Sequence, residues 1–201
     1  MERTNIEPGD LTVKASRPLI IGLTGPNAAG KGEVASALMA LGFTYHSLSD
    51  AVREEAVRRD RTMGRDDLII TGNELRREGG AGILARLTIP KLGARDIVDS
   101  VRNPVEVEEL RTLEGFLLLG VTAPPEVRYA RALSRVGRGD AVQSLEAFLA
   151  KEAEENTTDP TAQRLSATFA LADQVLVNDG TLGDLQRKVR LLVSSLEGGR
   201  G

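Results

Sequence analysis

Cysteine is absent from this 201-residue chain, so neither a disulfide framework nor a thiolate metal site can form. A single histidine, His46, is too little for a histidine-based metal centre. Tryptophan is also absent, and two Tyr and four Phe leave the core to be built from Leu, Val, Ile and Ala. No apolar run approaches the ~20 residues of a membrane-spanning helix. Met1 to Arg17 is polar and contains acidic residues, a pattern unlike a secretory signal or transit peptide. The chain is therefore expected in the cytoplasm, with no membrane partner. A net charge of −3 gives no basic surface for a nucleic-acid polymer.

What is present is an ordinary globular share of hydrophobic residues, 41%, enough for one substantial core. Residues 1–17 show no sustained period and read as a disordered tail; residues 18–196 read as one domain. Arg dominates the basic residues, which suits bidentate recognition of phosphate as well as a compositional skew.

From Pro18 the pattern alternates between strand and helix. Leu19 to Thr24 is a short apolar run closed by Gly25, as a buried parallel strand requires. Val34, Leu38 and Leu41 recur at helical spacing and Gly42 marks a stop. Phe43 to Leu48 predicts a second strand, Asp50 to Arg59 a charged helix, and Arg61 to Asp66 a loop. Residues 67–77 and 81–92 predict helices broken at Gly79 and Gly80 and ended near Pro90. Asp96–Asp99, Phe116–Thr122 and Gln174–Val177 predict three further strands. Thr181 with Asp184 makes a capping-box-like start to a last amphipathic helix. Five strands separated by helices predict a three-layer α/β fold around a parallel sheet.

Gly25-Pro26-Asn27-Ala28-Ala29-Gly30-Lys31-Gly32 fits the frame Gly-x4-Gly-Lys between the first strand and its helix. In such a loop, backbone N–H groups and the helix N-terminus surround phosphates with donors, and glycines allow the curvature. Lys31 can follow a migrating γ-phosphoryl group. Gly32 stands where the frame usually has Ser or Thr, so the usual hydroxyl ligand for Mg²⁺ is missing. Glu33 can serve as an outer-shell partner of the ion, or simply be a first-turn carboxylate favoured by the helix dipole.

Ser49, Asp50 and Arg53 follow the second strand, where capping chemistry and contact with an acceptor are both open readings. Asp99 and Arg102 repeat the arrangement on another strand. There Asp99 can orient Mg²⁺ through water and Arg102 can clamp a phosphate, with a surface cluster as the alternative. After Pro125, Arg128, Arg131, Arg135 and Arg138 are spaced 3, 4 and 3, which places them on one helix face beside an apolar side of Val127, Ala130, Leu133 and Val136. Such a face fits a lid, at about 126–160, that carries cations over the transferred group.

These residues give the chain a resemblance to the nucleoside monophosphate kinase group of P-loop kinases. It is most similar to adenylate-kinase-related proteins and to the kinase-like domain ahead of some deoxycytidylate deaminases. Gly-Pro-x-x-x-Gly-Lys-Gly at 25–32 looks like the adenylate kinase loop, with Glu33 where that family has Thr. Ser49 to Arg53 resembles the stretch whose Arg grips the acceptor phosphate, and Asp99 to Arg102 resembles an Asp-Gly-x-x-Arg region with Ser100 in place of Gly and the Arg one residue closer. Gly72-Asn73-Glu74-Leu75-Arg76 is similar to a helix lying on the acceptor, which implies acceptor roles for Asn73 and Arg76 within helices at about 50–92. Ala172 to Gly180 is similar to the last strand and adenine-side loop, also found in dephospho-coenzyme A kinases, which implies that Asn178 and Gly180 meet ATP. The resemblance implies a P-loop kinase fold with a small helical lid, ATP with Mg²⁺, and a small nucleotide-like acceptor. It implies catalytic roles for Lys31, Asp99, Arg131, Arg135 and Arg138, in a monomer or small homo-oligomer. Dephospho-coenzyme A kinase and a slow regulatory ATPase are the alternatives.

Overall fold

Every strand of the sheet runs parallel, in the order β2-β3-β1-β4-β5. The computed structural model describes residues 17–134, 144–155 and 163–198. The strands are β1 (Leu19–Thr24), β2 (Thr44–Ser47), β3 (Arg95–Asp99), β4 (Phe116–Thr122) and β5 (Gln174–Val177). Central β1 is buried at all six positions, which explains its continuous apolar run.

The two faces of β1 feed two separate cores. Leu19, Ile21 and Leu23 pack with α1 (Lys31–Met39) and α9 (Leu182–Gly198) through Val34, Leu38, Leu185 and Val189. Ile20 lies on the other face, among residues of α2 (Leu48–Arg58), α3 (Arg65–Gly79), α4 (Ile83–Thr88) and α5 (Pro104–Leu110). Burying a Leu or Ile side chain stabilises by about 1.5–3 kcal/mol, and this mainly aliphatic set is joined by Phe43 in the first core and by a partly buried Phe116 against the second. The remaining described helices are α6 (Pro125–Ser134), α7 (Leu145–Glu155) and α8 (Leu165–Phe169).

The chain leaves β1 through α1 on one face and reaches β2 at the edge. It leaves β3 through α5 on the other face and reaches β4 across β1. Connections departing in opposite directions open a crevice at the carboxyl ends of β1 and β3.

Several boundaries differ from the sequence pattern. α2 begins at Leu48 because Ser47 is its N-cap: Ser47 Oγ accepts the Ser49 N–H at 3.3 Å, and the Asp50 carboxylate accepts the Ser47 N–H at 3.3 Å. α3 starts at Arg65, inside the stretch expected to be loop, with Asp66 and Asp67 favoured by its first turn. Leu41 lies beyond α1, in the turn, and still packs on the core. Thr181 and Asp184 do form the reciprocal cap of α9, at 3.1 and 3.2 Å. The predicted tail falls almost entirely outside the described residues, as does part of the predicted lid.

Candidate active site

The phosphate loop is shaped by left-handed backbone. Gly25 (φ +135°), Ala28 (φ +57°) and Gly30 (φ +99°) bend the chain from β1 into α1. A Cβ at Gly25 would sit 2.0 Å from the Val121 carbonyl oxygen, so only glycine lets the loop lie against β4. Gly30 is the N-cap of α1 without a side chain of its own, which leaves the first N–H groups of the helix directed at the loop. Lys31 folds back across this loop, its Nζ donating to the carbonyls of Gly25 at 2.7 Å and Pro26 at 2.9 Å.

A cleft of about 380 Å³ adjoins the loop, lined by Gly30, Glu33, Arg131, Ser134, Asn178 and Gly180 over Leu182 and Leu185. Its volume lies within the range of small-ligand pockets. The buried Asn178 amide donates to the Ala29 carbonyl at 2.9 Å and thus ties the loop after β5 to the phosphate loop. Arg131 donates to the Asn178 carbonyl at 3.1 Å and the Ala29 carbonyl at 3.4 Å.

The first arginine of α6 is not solvated. Arg128 is buried, donates to the carbonyls of Ala123 at 3.2 Å and Asn27 at 3.3 Å, and pairs with Glu152 of α7. The arginine face of α6 therefore looks inward at the phosphate loop, while Ala130 and Leu133, expected on an apolar side, are exposed. Spacing placed the arginines on one face but could not say which way it turns. Arg135 and Arg138 lie outside the described residues.

Across the crevice, Asp99 ends β3. Its Oδ1 accepts the Ser100 N–H at 2.7 Å and its Oδ2 accepts the Tyr45 phenol at 2.8 Å. Ser100 holds φ +64°, a conformation that favours glycine and explains the Gly in the motif this segment resembles. Burial, and then the hydrogen bond to Asp99, push the Tyr45 phenol up to about 12, so it stays a donor at neutral pH. Among the described residues no group of three or more His, Asp or Glu side chains forms a cation cage. A lone carboxylate fits Mg²⁺, which keeps several waters and takes its other ligands from nucleotide phosphates.

Two arginines converge at the start of α5. Glu106 is buried, and its Oε2 accepts the N–H groups of Arg102 at 2.8 Å and Asn103 at 3.1 Å, closing the cap of α5. Burial pushes its carboxyl up to about 7, with the Arg102 N–H, the Arg76 charge, the Asn103 N–H and the Arg102 charge pulling the other way. Arg76 comes from α3 and lies over Gly72, where a Cβ would stand 3.3 Å from its Nη1. Burial pulls its guanidinium below the ordinary value, Glu106 opposes that and Arg102 adds to it. Among the described residues the guanidinium of Arg76 has no hydrogen-bond partner, and that of Arg102 donates to Gln163 at 3.1 Å. A partly buried guanidinium with unmet donors is placed to take an anionic ligand.

An ion-pair network fixes α3 on α2: Arg59 reaches Glu55, Glu74 and Glu78 at 2.5, 2.6 and 2.9 Å, and Arg61 reaches Glu74 at 2.8 Å. Ser49 and Asp50 lie in the first turn of α2, with Arg53 exposed and paired to Asp50 within the helix; Asn73 is exposed on α3. Tyr45 and Glu106 escaped the sequence reading, and for Arg128 only the buried position was missed. Only Glu106 left a trace, as the last member of the Asn103-Pro-Val-Glu106 capping pattern.

A parallel five-stranded sheet, this loop after β1 and the flanking helices define a P-loop kinase fold. Solved structures show the same: TT1252 from Thermus thermophilus superposes with a TM-score of 0.61 at 23% identity over 90% of this chain and 98% of that one. A shikimate kinase from Bacteroides thetaiotaomicron gives 0.56 at 14% identity over 88% and 98%. In sequence, a UPF0200 protein of Pyrococcus horikoshii is 34% identical over 187 residues, 89% of this chain and 97% of that protein. UPF0200 proteins of Pyrococcus abyssi (35% identical; 89% and 97% covered) and Sulfurisphaera tokodaii (32% identical; 88% and 97% covered) are similar as well. The chain belongs to the UPF0200 family. No family model matches it. Among the described residues no helix is long and apolar enough to cross a membrane.

Proposed function

We propose that the chain transfers the γ-phosphoryl group of ATP to a nucleoside or deoxynucleoside monophosphate. One observation carries this reading: the partly buried guanidinium of Arg76, which has no hydrogen-bond partner among the described residues and lies near Arg102 and Glu106 at the start of α5. A protein that only sensed ATP would need no second anion pocket. ATP would set its phosphates in loop 25–32 under Lys31 and its base in the cleft with Glu33, Asn178 and Gly180. Arg76 and Arg102 would hold the acceptor's phosphate, with Ser49, Asp50, Arg53 and Asn73 at the rim. Arg131, together with Arg135 and Arg138, would stand over the transferred group, and Mg²⁺ would be anchored by Asp99 through water.

The test is coupled ADP release with ribo- and deoxynucleoside monophosphates, with dephospho-coenzyme A, and with no acceptor. Release that depends on a monophosphate supports the proposal. Release with dephospho-coenzyme A alone, or at the same rate without any acceptor, overturns it.

The unusual Gly32 gives a second expectation. A Cβ there would meet nothing within 4 Å, so a hydroxyl can be added without strain. Gly32→Ser should keep the fold, gain up to about 0.5 kcal/mol of helix propensity, and turn over at least as fast as wild type in a Mg²⁺ titration. A collapse of turnover in that variant would show that the loop needs the glycine itself.

A further inference from the structure

We infer that Tyr45 is a positioning residue for Asp99, holding that carboxylate as a fixed acceptor for the water shell of a nucleotide-bound divalent cation. This rests on the proposed function. A carboxylate at the end of a strand can turn about its side-chain bonds unless donors hold both oxygens. Here they do: the Ser100 N–H holds Oδ1 at 2.7 Å and the Tyr45 phenol holds Oδ2 at 2.8 Å. The two donors come from different strands. Tyr45 is in β2, 54 residues before Asp99, and register sets Tyr45 beside Ile97 and Ser47 beside Asp99, so Tyr45 and Asp99 share one face of the sheet.

Asp99 has no Arg or Lys partner among the described residues, so its charge is not cancelled within the protein. Each oxygen keeps a further lone pair after taking one donor. The pair of donors thus sets the carboxylate plane and leaves acceptor capacity facing the crevice. Outer-shell donors of this kind orient first-shell groups at metal sites. A packing role explains less, because Tyr45 is 40% exposed and its ring adds little to the core.

The chain has no Trp and two Tyr, so tyrosine emission reads Tyr45 against Tyr129 alone. Hydrogen bonding to a carboxylate quenches a phenol, so emission reports a change at Asp99. The experiment titrates Mg²⁺ into the full chain with a non-hydrolysable ATP analogue bound, in wild type, Tyr45→Phe and Asp99→Asn, and follows the thermal midpoint and the Mg²⁺ dependence of turnover beside it. Wild type should show a saturable emission change that is lost in both variants. Tyr45→Phe should need about tenfold more Mg²⁺ for half-saturation, with metal-free analogue affinity and thermal midpoint unchanged. A wild-type Mg²⁺ curve in Tyr45→Phe, or an emission change that survives in it, overturns the inference while leaving the proposed function intact. Failure of the wild-type chain to bind the analogue overturns both.

Discussion

Lys31→Ala should leave a folded protein whose phosphoryl transfer falls by about 10²–10³-fold or more. The ammonium is held at 2.7 and 2.9 Å by the carbonyls of Gly25 and Pro26, at the mouth of the loop it would serve. Those carbonyls stabilise it only until phosphate oxygens arrive with full negative charge. Contact with the γ-phosphoryl group strengthens as charge moves to the bridging oxygen, so the loss should appear in kcat more than in KM. The loop itself does not depend on the ammonium. Its curvature comes from Gly25, Ala28 and Gly30, and the Asn178 amide and Arg131 hold Ala29 from outside. Thermal midpoint should therefore shift by only a few degrees. Single-turnover ADP release, with far-UV circular dichroism as the control for folding, checks this. Wild-type turnover in Lys31→Ala would remove the phosphate loop from the mechanism.

The parts of this fold that sequence made most legible are its apolar strands, whether buried throughout like β1 or largely exposed like β5. β4 and β5 keep their expected bounds, and so does the strand before the loop, because continuous apolar runs between turn residues have few other readings. The short helices were harder. α5 spans seven residues opened by Pro104, and α8 spans five, too few for a periodic stripe. The same limit hid part of the site. Nothing marks Glu106 as buried until β3 and α3 bring Arg102 and Arg76 around it. Tyr45 reads as one more strand residue until register sets β2 beside β3 and lets the phenol reach Asp99. Arg128 shows the opposite case. Its spacing was visible, but the direction of its face depended on Glu152, 24 residues away, and on carbonyls of the phosphate loop. Sequence periodicity reports which residues share a face; what that face meets is decided by tertiary contacts.

Arg76→Ala should raise the acceptor's KM by about ten- to a hundredfold while leaving that of ATP nearly unchanged, because a charge-assisted hydrogen bond to the acceptor anion is lost. Glu106 gives the same pocket a pH dependence. Its carboxyl is raised to about 7, chiefly by burial, from an ordinary value of 4.5. Between these values the folded chain keeps a proton that the unfolded chain has released. Stability is then favoured at low pH, falls as pH rises through about 4.5 to 7, and above 7 carries the full cost of the ionised group, on the order of 3 kcal/mol. Ionisation also sets a negative charge near Arg76 and Arg102 and weakens their hold on an anion, so the acceptor's KM should climb as pH rises past about 7. Glu106→Gln should remove both slopes. Its amide oxygen can accept the two N–H groups that now share Oε2, so the cap of α5 survives without the charge. The variant should be more stable than wild type above pH 7 and bind acceptor with nearly constant KM. The measurements are acceptor and ATP KM from about pH 6 to about pH 9, with thermal melts across the same range. A Glu106→Gln enzyme that kept the wild-type pH slope would detach this carboxylate from the acceptor pocket, and an Arg76→Ala enzyme impaired toward ATP instead would move Arg76 to the nucleotide side of the crevice.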